Sequence, residues 1–277
     1  MEVRPLTGSE FVAEVVGLDA SKALDAEQVI ACRQVLADHR VLVFRDQMLE
    51  PEAYVAFAKN FGTPVPHVLD HLRMDGTPEI MLVGNIGQTA RGERVHHGAD
   101  YWHTDMSYEA SPAIATMLYS LVAPTTGGET QFADLATAFD ALPEDEQERL
   151  SKLMVNHRYG AASKGQAASI SNQQYARTCA VQHPLMKVNP INGQRSLYAI
   201  TGTPECIDGM REDETDQLLS QLREHSISER FIYRHPYRVG DVAIWDTTAT
   251  LHSATTIPTA DGPDNSRLLW RISVVGG

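Results

Sequence analysis

The residue types best suited to chemistry occur together in one short stretch, Tyr101-Trp102-His103-Thr104-Asp105-Met106-Ser107. His103 and Asp105 are two positions apart, and side chains at i and i+2 of an extended backbone point to the same face. An imidazole and a carboxylate that converge in this way are suited to binding a metal ion. Two ligands leave such a site incomplete, so a third is expected from elsewhere in the chain.

The candidate for the third ligand is His252, which follows the strand-like run Val242-Ala243-Ile244-Trp245. Two histidines and one carboxylate on one face of an ion form the facial triad of non-haem Fe(II) oxygenases, which leaves coordination positions open. His-x-Asp alone is a weak signal, because a chain with 11 histidines offers many chance matches. His96 and His97 form a rival pair, but adjacent side chains of an extended chain point apart, which favours exposed loop histidines.

Further motifs occur in an order that matches a known family. Gly127-Gly128-Glu129-Thr130 follows the first two ligands, and Arg267 and Arg271 follow His252. With these motifs the sequence resembles the taurine dioxygenase and chlorophenoxyacetate dioxygenase family, whose members use Fe(II) and 2-oxoglutarate. The resemblance covers the chain from about Phe44 to its end. It is carried by Trp102-His103-Thr104-Asp105, Gly127-Gly128-Glu129-Thr130, Gly240-Asp241-Val242-Ala243-Ile244-Trp245-Asp246, Leu251-His252 and Arg267-Leu268-Leu269-Trp270-Arg271.

The resemblance implies roles for the matching residues. His103, Asp105 and His252 would bind the iron, and Thr130 and Arg267 would hold the distal carboxylate of 2-oxoglutarate. A guanidinium can pair with a carboxylate through two parallel hydrogen bonds, and a hydroxyl can add another. The carboxylate at Asp105 implies oxidation without halide, since related iron halogenases have a small residue at that position.

A substrate site is also implied. Arg271 matches the position that binds the anionic group of the substrate in several family members, and His67 matches a second substrate contact. Arg267 and Arg271 are four residues apart, which places both on one face of a strand. Two buried cations need two anions, so an anionic substrate is expected beside the co-substrate; alternatively, Arg271 pairs with an internal carboxylate. The chain departs from the family at Asn189-Pro190, where a second His-Pro is usual.

The implied activity is that of a Fe(II)- and 2-oxoglutarate-dependent dioxygenase. It would hydroxylate a small organic anion, either a carboxylate, for example an aryloxyalkanoate, or a sulfonate, while 2-oxoglutarate and O2 become succinate and CO2. Two alternatives stay open. The same cofactors could give desaturation, cyclisation or oxidative decarboxylation in a biosynthetic pathway, or the chain could be a cupin-like metal-binding sensor without turnover.

Composition limits the class of protein. A length of 277 residues, 43% of them hydrophobic and 21% charged, suits a single domain over residues 1–277. The formal net charge of −13, without a Lys/Arg cluster, argues against nucleic acid. We expect no membrane span, no secretory signal and, from the dispersed Cys32, Cys179 and Cys206, a reduced cytoplasmic protein. The expected partners are a small anionic substrate and O2, with the chain forming a homo-oligomer.

Periodicity predicts a mixed, mainly β protein with flanking helices. The resemblance narrows this to a double-stranded β-helix, or jelly roll, with a helical and loop insertion. Gly160 to Thr178, with Arg177 near its end, is either a mobile lid or a long surface loop. Helices are predicted at 24–39, from 51, at 135–142, from 143 and at 212–224. Strands are predicted at 12–18, 41–44, 80–83, 112–122, 130–134, 196–200, 230–233, 242–245 and 268–275.

Overall fold

A computed structural model of the protein describes residues 1–6, 8–67, 70–89, 92, 94–95, 98–159 and 179–276. The predictions for His96 and His97, for the segment 160–178 and for Arg177 lie outside the described residues. Within these ranges, the helices are all too short or too polar to cross a membrane. The cysteines Cys32, Cys179 and Cys206 are free, as expected.

The elements follow one another in this order. The helices are α1 (Ala26–His39), α2 (Pro51–Ala58), α3 (Leu135–Asp140), α4 (Glu144–Leu150) and α5 (Glu212–Ser226). The strands are β1 (Glu2–Pro5), β2 (Val12–Val16), β3 (Val41–Phe44), β4 (Thr63–Val65), β5 (Arg73–Met74), β6 (Thr77–Gly84), β7 (Ala113–Val122), β8 (Thr130–Asp134), β9 (Met154–His157), β10 (Val181–Pro184), β11 (Met186–Val188), β12 (Arg195–Leu197), β13 (Pro204–Ile207), β14 (Ile232–His235), β15 (Val242–Asp246), β16 (Thr250–Ala254) and β17 (Leu268–Val275).

Two sheets face each other, and the fold is mainly β with a jelly-roll layout, as predicted. The larger sheet has the order β1-β2-β3-β15-β7-β17-β6-β5, with β4 also paired to β17, and the smaller has the order β14-β8-β16. Between them lies a hydrophobic core to which Phe132 contributes from the smaller sheet, and Leu118, Trp245 and Leu269 from the larger. The residues that alternate with these on each strand face outward. The inner faces therefore form the compartment in which a site can be enclosed.

The outer face of the larger sheet is covered by α1 and α2. Cys32 and Leu36 of α1 and Tyr54 and Phe57 of α2 pack in one cluster with sheet residues. The helix α1 begins after Asp25, whose side chain accepts a hydrogen bond from the Gln28 amide at 2.8 Å. This cap satisfies a backbone N–H that the helix cannot pair internally.

The outer face of the smaller sheet is covered by the predicted helical insertion. Ala133 and Leu251 of the sheet pack with Phe139 of α3 and with Leu218 and Leu222 of α5. A three-stranded sheet, β10-β9-β13, adds to this layer. The smaller sheet is therefore buried on both faces, which holds β8 and β16 rigidly.

Some element boundaries differ from those predicted. The strand predicted to reach Ile200 ends at Leu197, because Ala199 has a φ of 47° and turns the chain. Residues 63–100, predicted to be mostly loop, contain β4, β5 and the eight-residue β6. Gly62 was expected to end the second helix, which already ends at Ala58. Gly62 instead packs against β17, where an added Cβ would lie 2.5 Å from the Val275 carbonyl oxygen.

Candidate active site

His103 and His252 meet through their backbones at the edge of the smaller sheet. His252 lies in β16, and His103 forms an isolated antiparallel bridge with it, with two backbone hydrogen bonds of 3.0 Å each. Directly opposed residues of an antiparallel pair project to the same face. The two imidazole ring centroids are accordingly 4.1 Å apart. Trp245 packs on His252 at a centroid distance of 4.7 Å, which fixes the orientation of its ring.

Asp105 completes the group, although the backbone does not remain extended as far as this residue. The chain turns after Thr104, and Met106 has a φ of 54°. Asp105 Oδ1 is 3.6 Å from His103 Nε2, and Asp105 Oδ2 is 3.6 Å from His252 Nε2. One potential ligand atom from each of the three residues lies within 4.8 Å of the other two. The structure thus brings together the three residues that the sequence predicts to bind metal.

The chemistry of these three groups fits a metal cation. His103 Nδ1 is 2.9 Å from the Tyr101 carbonyl oxygen, which can only accept, so Nδ1 carries the proton and Nε2 presents a lone pair. The separations of 3.6 Å to the carboxylate are too long for hydrogen bonds. Asp105 Oδ2 is buried and has no hydrogen-bond partner among the described residues. Lone pairs that converge in this way call for a cation, and imidazole with carboxylate suits Fe(II).

The protonation states also fit metal binding. Burial alone would raise the pKa of Asp105, but Arg271, His252 and His103 together hold it well below its usual value. Burial, assisted by the neighbouring His103, lowers the pKa of His252 to about 3. Metal ligation requires an ionised carboxylate and a neutral imidazole. The site therefore supplies both groups in the required form at neutral pH.

Arg271 lies directly beside the candidate metal ligands. Its Nη2 donates to Asp105 Oδ1 at 2.8 Å, with the Arg271 side chain 13% exposed. This pairing is the internal-carboxylate alternative considered for Arg271. Its other terminal nitrogen, Nη1, is 3.8 Å from the Met81 sulfur, which is a weak acceptor. Arg271 thus holds one carboxylate oxygen, while among the described residues Nη1 has only a weak partner.

A cavity of about 180 Å³ opens next to Arg271. His67 lines the same cavity, so the two residues predicted to contact substrate are brought together. Met106, which follows Asp105 in the chain, also lines it, and the cavity therefore adjoins the candidate metal centre. The complete lining is Val65, Pro66, His67, Glu79, Met81, Met106, Tyr108, Glu109, Arg271 and Ser273.

The two residues predicted to hold the co-substrate lie farther along the same compartment. Arg267 immediately precedes β17, is 1% exposed, and donates from Nη1 to the Gly128 carbonyl oxygen at 2.7 Å. Thr130, at the start of β8, is also buried, and its Oγ1 is 2.9 Å from the Tyr237 hydroxyl. At 3.3 Å per residue, Arg267 and Arg271 are about 13 Å apart along the strand. The two arginines, one just before β17 and one on it, are therefore too far apart to bind the same carboxylate.

Tyr237 was not identified from the sequence. Burial lowers the pKa of Arg267, and the neighbouring Tyr237 and Glu129 oppose that effect. Tyr237 therefore contacts Thr130 directly and influences Arg267 electrostatically. No motif marks it, because its position follows from the pairing of His235 with Thr130 across β14 and β8. The run Tyr233-Arg234-His235-Pro236-Tyr237, with two tyrosines and a histidine, is the available signal, but the sequence predicts only a strand that ends at Tyr233.

Comparison with known proteins identifies the family to which the chain belongs. The model of the taurine catabolism dioxygenase TauD, TfdA family matches residues 2–273. The chain is 31% identical over 254 residues to the alpha-ketoglutarate-dependent 2,4-dichlorophenoxyacetate dioxygenase of Cupriavidus pinatubonensis, covering 87% of this chain and 88% of that protein. It is 32% identical over 285 residues to the alpha-ketoglutarate-dependent sulfate ester dioxygenase of Pseudomonas putida, covering 100% and 90%. The crystal structure of AAD-2 in complex with Mn(II) and N-oxalylglycine superposes with a TM-score of 0.82 at 29% identity, covering 100% and 98%.

The chain belongs to the TauD/TfdA family. It is a 2-oxoglutarate-dependent non-haem iron dioxygenase, with Fe(II) and 2-oxoglutarate as its cofactors. The predicted family, fold and class of enzyme are confirmed, and the named relatives are enzymes rather than sensors.

Proposed function

We propose that this dioxygenase hydroxylates a small organic anion, a carboxylate or sulfonate of which an aryloxyalkanoate is one example. 2-Oxoglutarate and O2 are converted to succinate and CO2 in the same cycle. The observation that carries the proposal is the cavity shared by His67 and Arg271, which adjoins Asp105. Its support includes two relatives named for anionic substrates, a phenoxyacetate and a sulfate ester.

In this proposal His103, Asp105 and His252 hold the iron. Bound Fe(II) supplies the oxidising chemistry with O2, and the chain supplies position and electrostatics. Trp245 restrains His252 from one side, and the Tyr101 carbonyl fixes the His103 ring. Both contacts orient imidazoles whose rotation would otherwise oppose metal binding.

Thr130 and Arg267 hold the distal carboxylate of 2-oxoglutarate. Arg267 is almost wholly buried, so a carboxylate that reaches it leaves water and gains a charge-assisted pair. The Gly128 carbonyl takes one proton of Nη1. The Arg267 guanidinium and the Thr130 hydroxyl are the donors assigned to the co-substrate.

Arg271 links substrate binding to the metal centre. Nη2 keeps Asp105 oriented, and Nη1 is available to an anion in the cavity because the Met81 sulfur is a weak acceptor. An anion held there is one side chain away from a metal ligand. Position of this kind converts binding energy into correct placement of the reacting carbon.

The test is succinate release from Fe(II)-loaded protein with a panel of phenoxyacetates, alkyl sulfonates, alkyl sulfates and their neutral amides or alcohols. We expect stimulation by anions alone. Arg271→Gln should raise the KM for the best anion by about tenfold or more, since a hydrogen bond to a charged group contributes about 1.5–3 kcal/mol. Ser273→Ala, a neutral change in the same cavity, should leave the KM within about twofold, well short of one such bond.

Two results would count against the proposal. The first is equal stimulation by neutral and anionic compounds. The second is an unchanged KM in Arg271→Gln. Succinate release without oxidation of any panel member would instead direct the search to desaturation or cyclisation products. A single domain over residues 1–277, a cytoplasmic location and a homo-oligomer stay predictions.

A further inference from the structure

Tyr237 makes a buried contact that the proposed roles of Thr130 and Arg267 leave unexplained. Its hydroxyl lies 2.9 Å from Thr130 Oγ1, and its side chain is 7% exposed. We infer that Tyr237 is a positioning residue of the co-substrate site, whose hydroxyl donates to Thr130 and thereby directs the single Thr130 hydroxyl proton at the distal carboxylate of 2-oxoglutarate. This inference rests on the proposed function of Thr130 and Arg267.

The direction of the hydrogen bond follows from counting donors. A threonine hydroxyl has one proton and two lone pairs. A carboxylate can only accept, so Thr130 must use its proton for the ligand. The contact with Tyr237 then requires the tyrosine to be the donor. The result is a chain from Tyr237 through Thr130 to the ligand, in which each bond polarises the next.

The structure holds Tyr237 firmly in this place. The His235 ring packs edge-on against it, with centroids 4.7 Å apart and an interplanar angle of 87°. His235 is itself buried, with Nε2 3.3 Å from Asp241 Oδ2 and Nδ1 3.3 Å from the Tyr233 hydroxyl. Asp241 also pairs with Arg45. A buried polar network therefore supports the ring that positions Tyr237.

The surroundings also favour a donor at this position. Burial raises the pKa of Tyr237 well above its ordinary value, an effect only partly offset by Thr130 and Arg267. The phenol consequently keeps its proton wherever the protein is folded. Arg267 Nη1 donates to the Gly128 carbonyl, two residues before Thr130, and Thr130 contacts Tyr237. A carboxylate that binds to Arg267 and Thr130 therefore meets one cation and one oriented hydroxyl chain.

The first test is calorimetric titration of 2-oxoglutarate into Mn(II)-loaded protein. Tyr237→Phe removes the donor and keeps the ring, so the Kd should rise about fivefold, as expected for one lost hydrogen bond. In turnover with Fe(II), the KM for 2-oxoglutarate should rise by a similar factor while kcat at saturation stays within twofold. A merely structural role would lower kcat or the thermal midpoint instead.

A double-mutant cycle tests whether Tyr237 acts through Thr130. In a Thr130→Val background, Tyr237→Phe should change the Kd less than twofold, since no hydroxyl remains to be oriented. In a Thr130→Ser background, which keeps the hydroxyl, the fivefold effect should persist. A full fivefold effect in Thr130→Val would overturn the inference.

Two further variants separate the inference from the proposed function. Tyr119→Phe is the matched control. This buried tyrosine donates to the Gln47 carbonyl at 3.2 Å and lies on the outer face of the larger sheet, away from the compartment between the sheets. The substitution should leave the Kd unchanged. Loss of binding in Arg267→Met with wild-type affinity in Tyr237→Phe overturns the inference alone. Tight binding in Arg267→Met overturns the proposed site together with the inference.

Discussion

Two adjacent glycines allow the position of Arg267 to be perturbed with an internal control. Gly127 and Gly128 have φ values of 76° and 72°, so alanine at either position is forced into a left-handed backbone. An added Cβ at Gly127 meets no heavy atom of the described residues within 4 Å. At Gly128 it would lie 3.2 Å from Arg267 Cδ and 3.0 Å from Pro124 Cγ. The two substitutions share the backbone cost and differ in the crowding of Pro124, Arg267 and Ile257, which only Gly128→Ala would cause.

The magnitudes follow from these contacts. Gly127→Ala should lower the free energy of unfolding by about 1–2 kcal/mol, the cost of a left-handed non-glycine residue. Gly128→Ala should lose the same amount and about 1–3 kcal/mol more for crowding. If crowding displaces Arg267 by a few tenths of an ångström, its hydrogen bonds to the co-substrate should weaken by about 1 kcal/mol, and co-substrate affinity should fall about fivefold.

The measurements are urea unfolding and calorimetric binding of 2-oxoglutarate to the Mn(II)-loaded variants. Gly127→Ala should bind as the wild type does, and Gly128→Ala should bind more weakly. Wild-type affinity in both variants would refute the reasoning, because it would show that crowding next to Arg267 does not weaken the grip on the co-substrate. An equal loss of affinity in both would point to the loop backbone as the relevant element.

Three further predictions concern the metal, pH and a buried ion pair. Mn(II) at 100 times its Kd should stabilise the wild type by about 2.7 kcal/mol and leave His252→Ala unchanged, as measured by urea unfolding with and without metal. Burial lowers the pKa of His157 to about 3. Below about pH 6.5 the His157 imidazole is therefore protonated in the unfolded chain and neutral in the folded protein. The contribution of His157 to stability should be full above pH 6.5 and fall by about 1.4 kcal/mol per unit below it. Urea unfolding across pH should therefore show a shallower slope in His157→Gln than in the wild type; identical slopes would contradict this. Arg40→Met should lower the free energy of unfolding by about 3–5 kcal/mol, because it leaves the buried Asp134 carboxylate without its cationic partner. Calorimetry should show that the Mn(II) affinity is retained.

The candidate metal ligands could be predicted from sequence because their chemistry is specific even where the local structure is not. His103 and Asp105 were expected to converge through an extended backbone, and they do converge, but Asp105 lies at the start of a turn. His252 was placed after a strand, whereas it lies within β16. That strand mixes polar and apolar residues and is buried on both faces, so it shows no alternation for a sequence pattern to detect.

The best-predicted elements are those in which apolar residues predominate. The strand β3 matches its predicted bounds because it is an unbroken apolar run, and β17 matches them because six of its eight residues are apolar, the exceptions being Arg271 and Ser273. The strand near Tyr198 was predicted too long, since Tyr198 to Ile200 are buried without being in a strand. Apolar character reports burial, and it reports strand geometry only when the backbone remains extended.

The contacts of Tyr237 with Thr130 and of Arg271 with Asp105 could not be predicted from sequence spacing. Each contact joins residues more than 100 positions apart, and each depends on strand register rather than on a local motif. The possibility of an internal carboxylate for Arg271 could be stated from charge alone. Its identity as Asp105 required the pairing of β17 with its neighbours.

The central claim is that His103, Asp105 and His252 hold one Fe(II) ion that also binds 2-oxoglutarate. It is tested most directly by adding 2-oxoglutarate to the Fe(II)-loaded protein without oxygen and recording the visible spectrum. A weak charge-transfer band that saturates at one co-substrate per chain, and that is absent in His103→Ala and His252→Ala, is the predicted result. A wild-type protein that binds Fe(II) and 2-oxoglutarate without such a band, or a band that survives both substitutions, would contradict the claim.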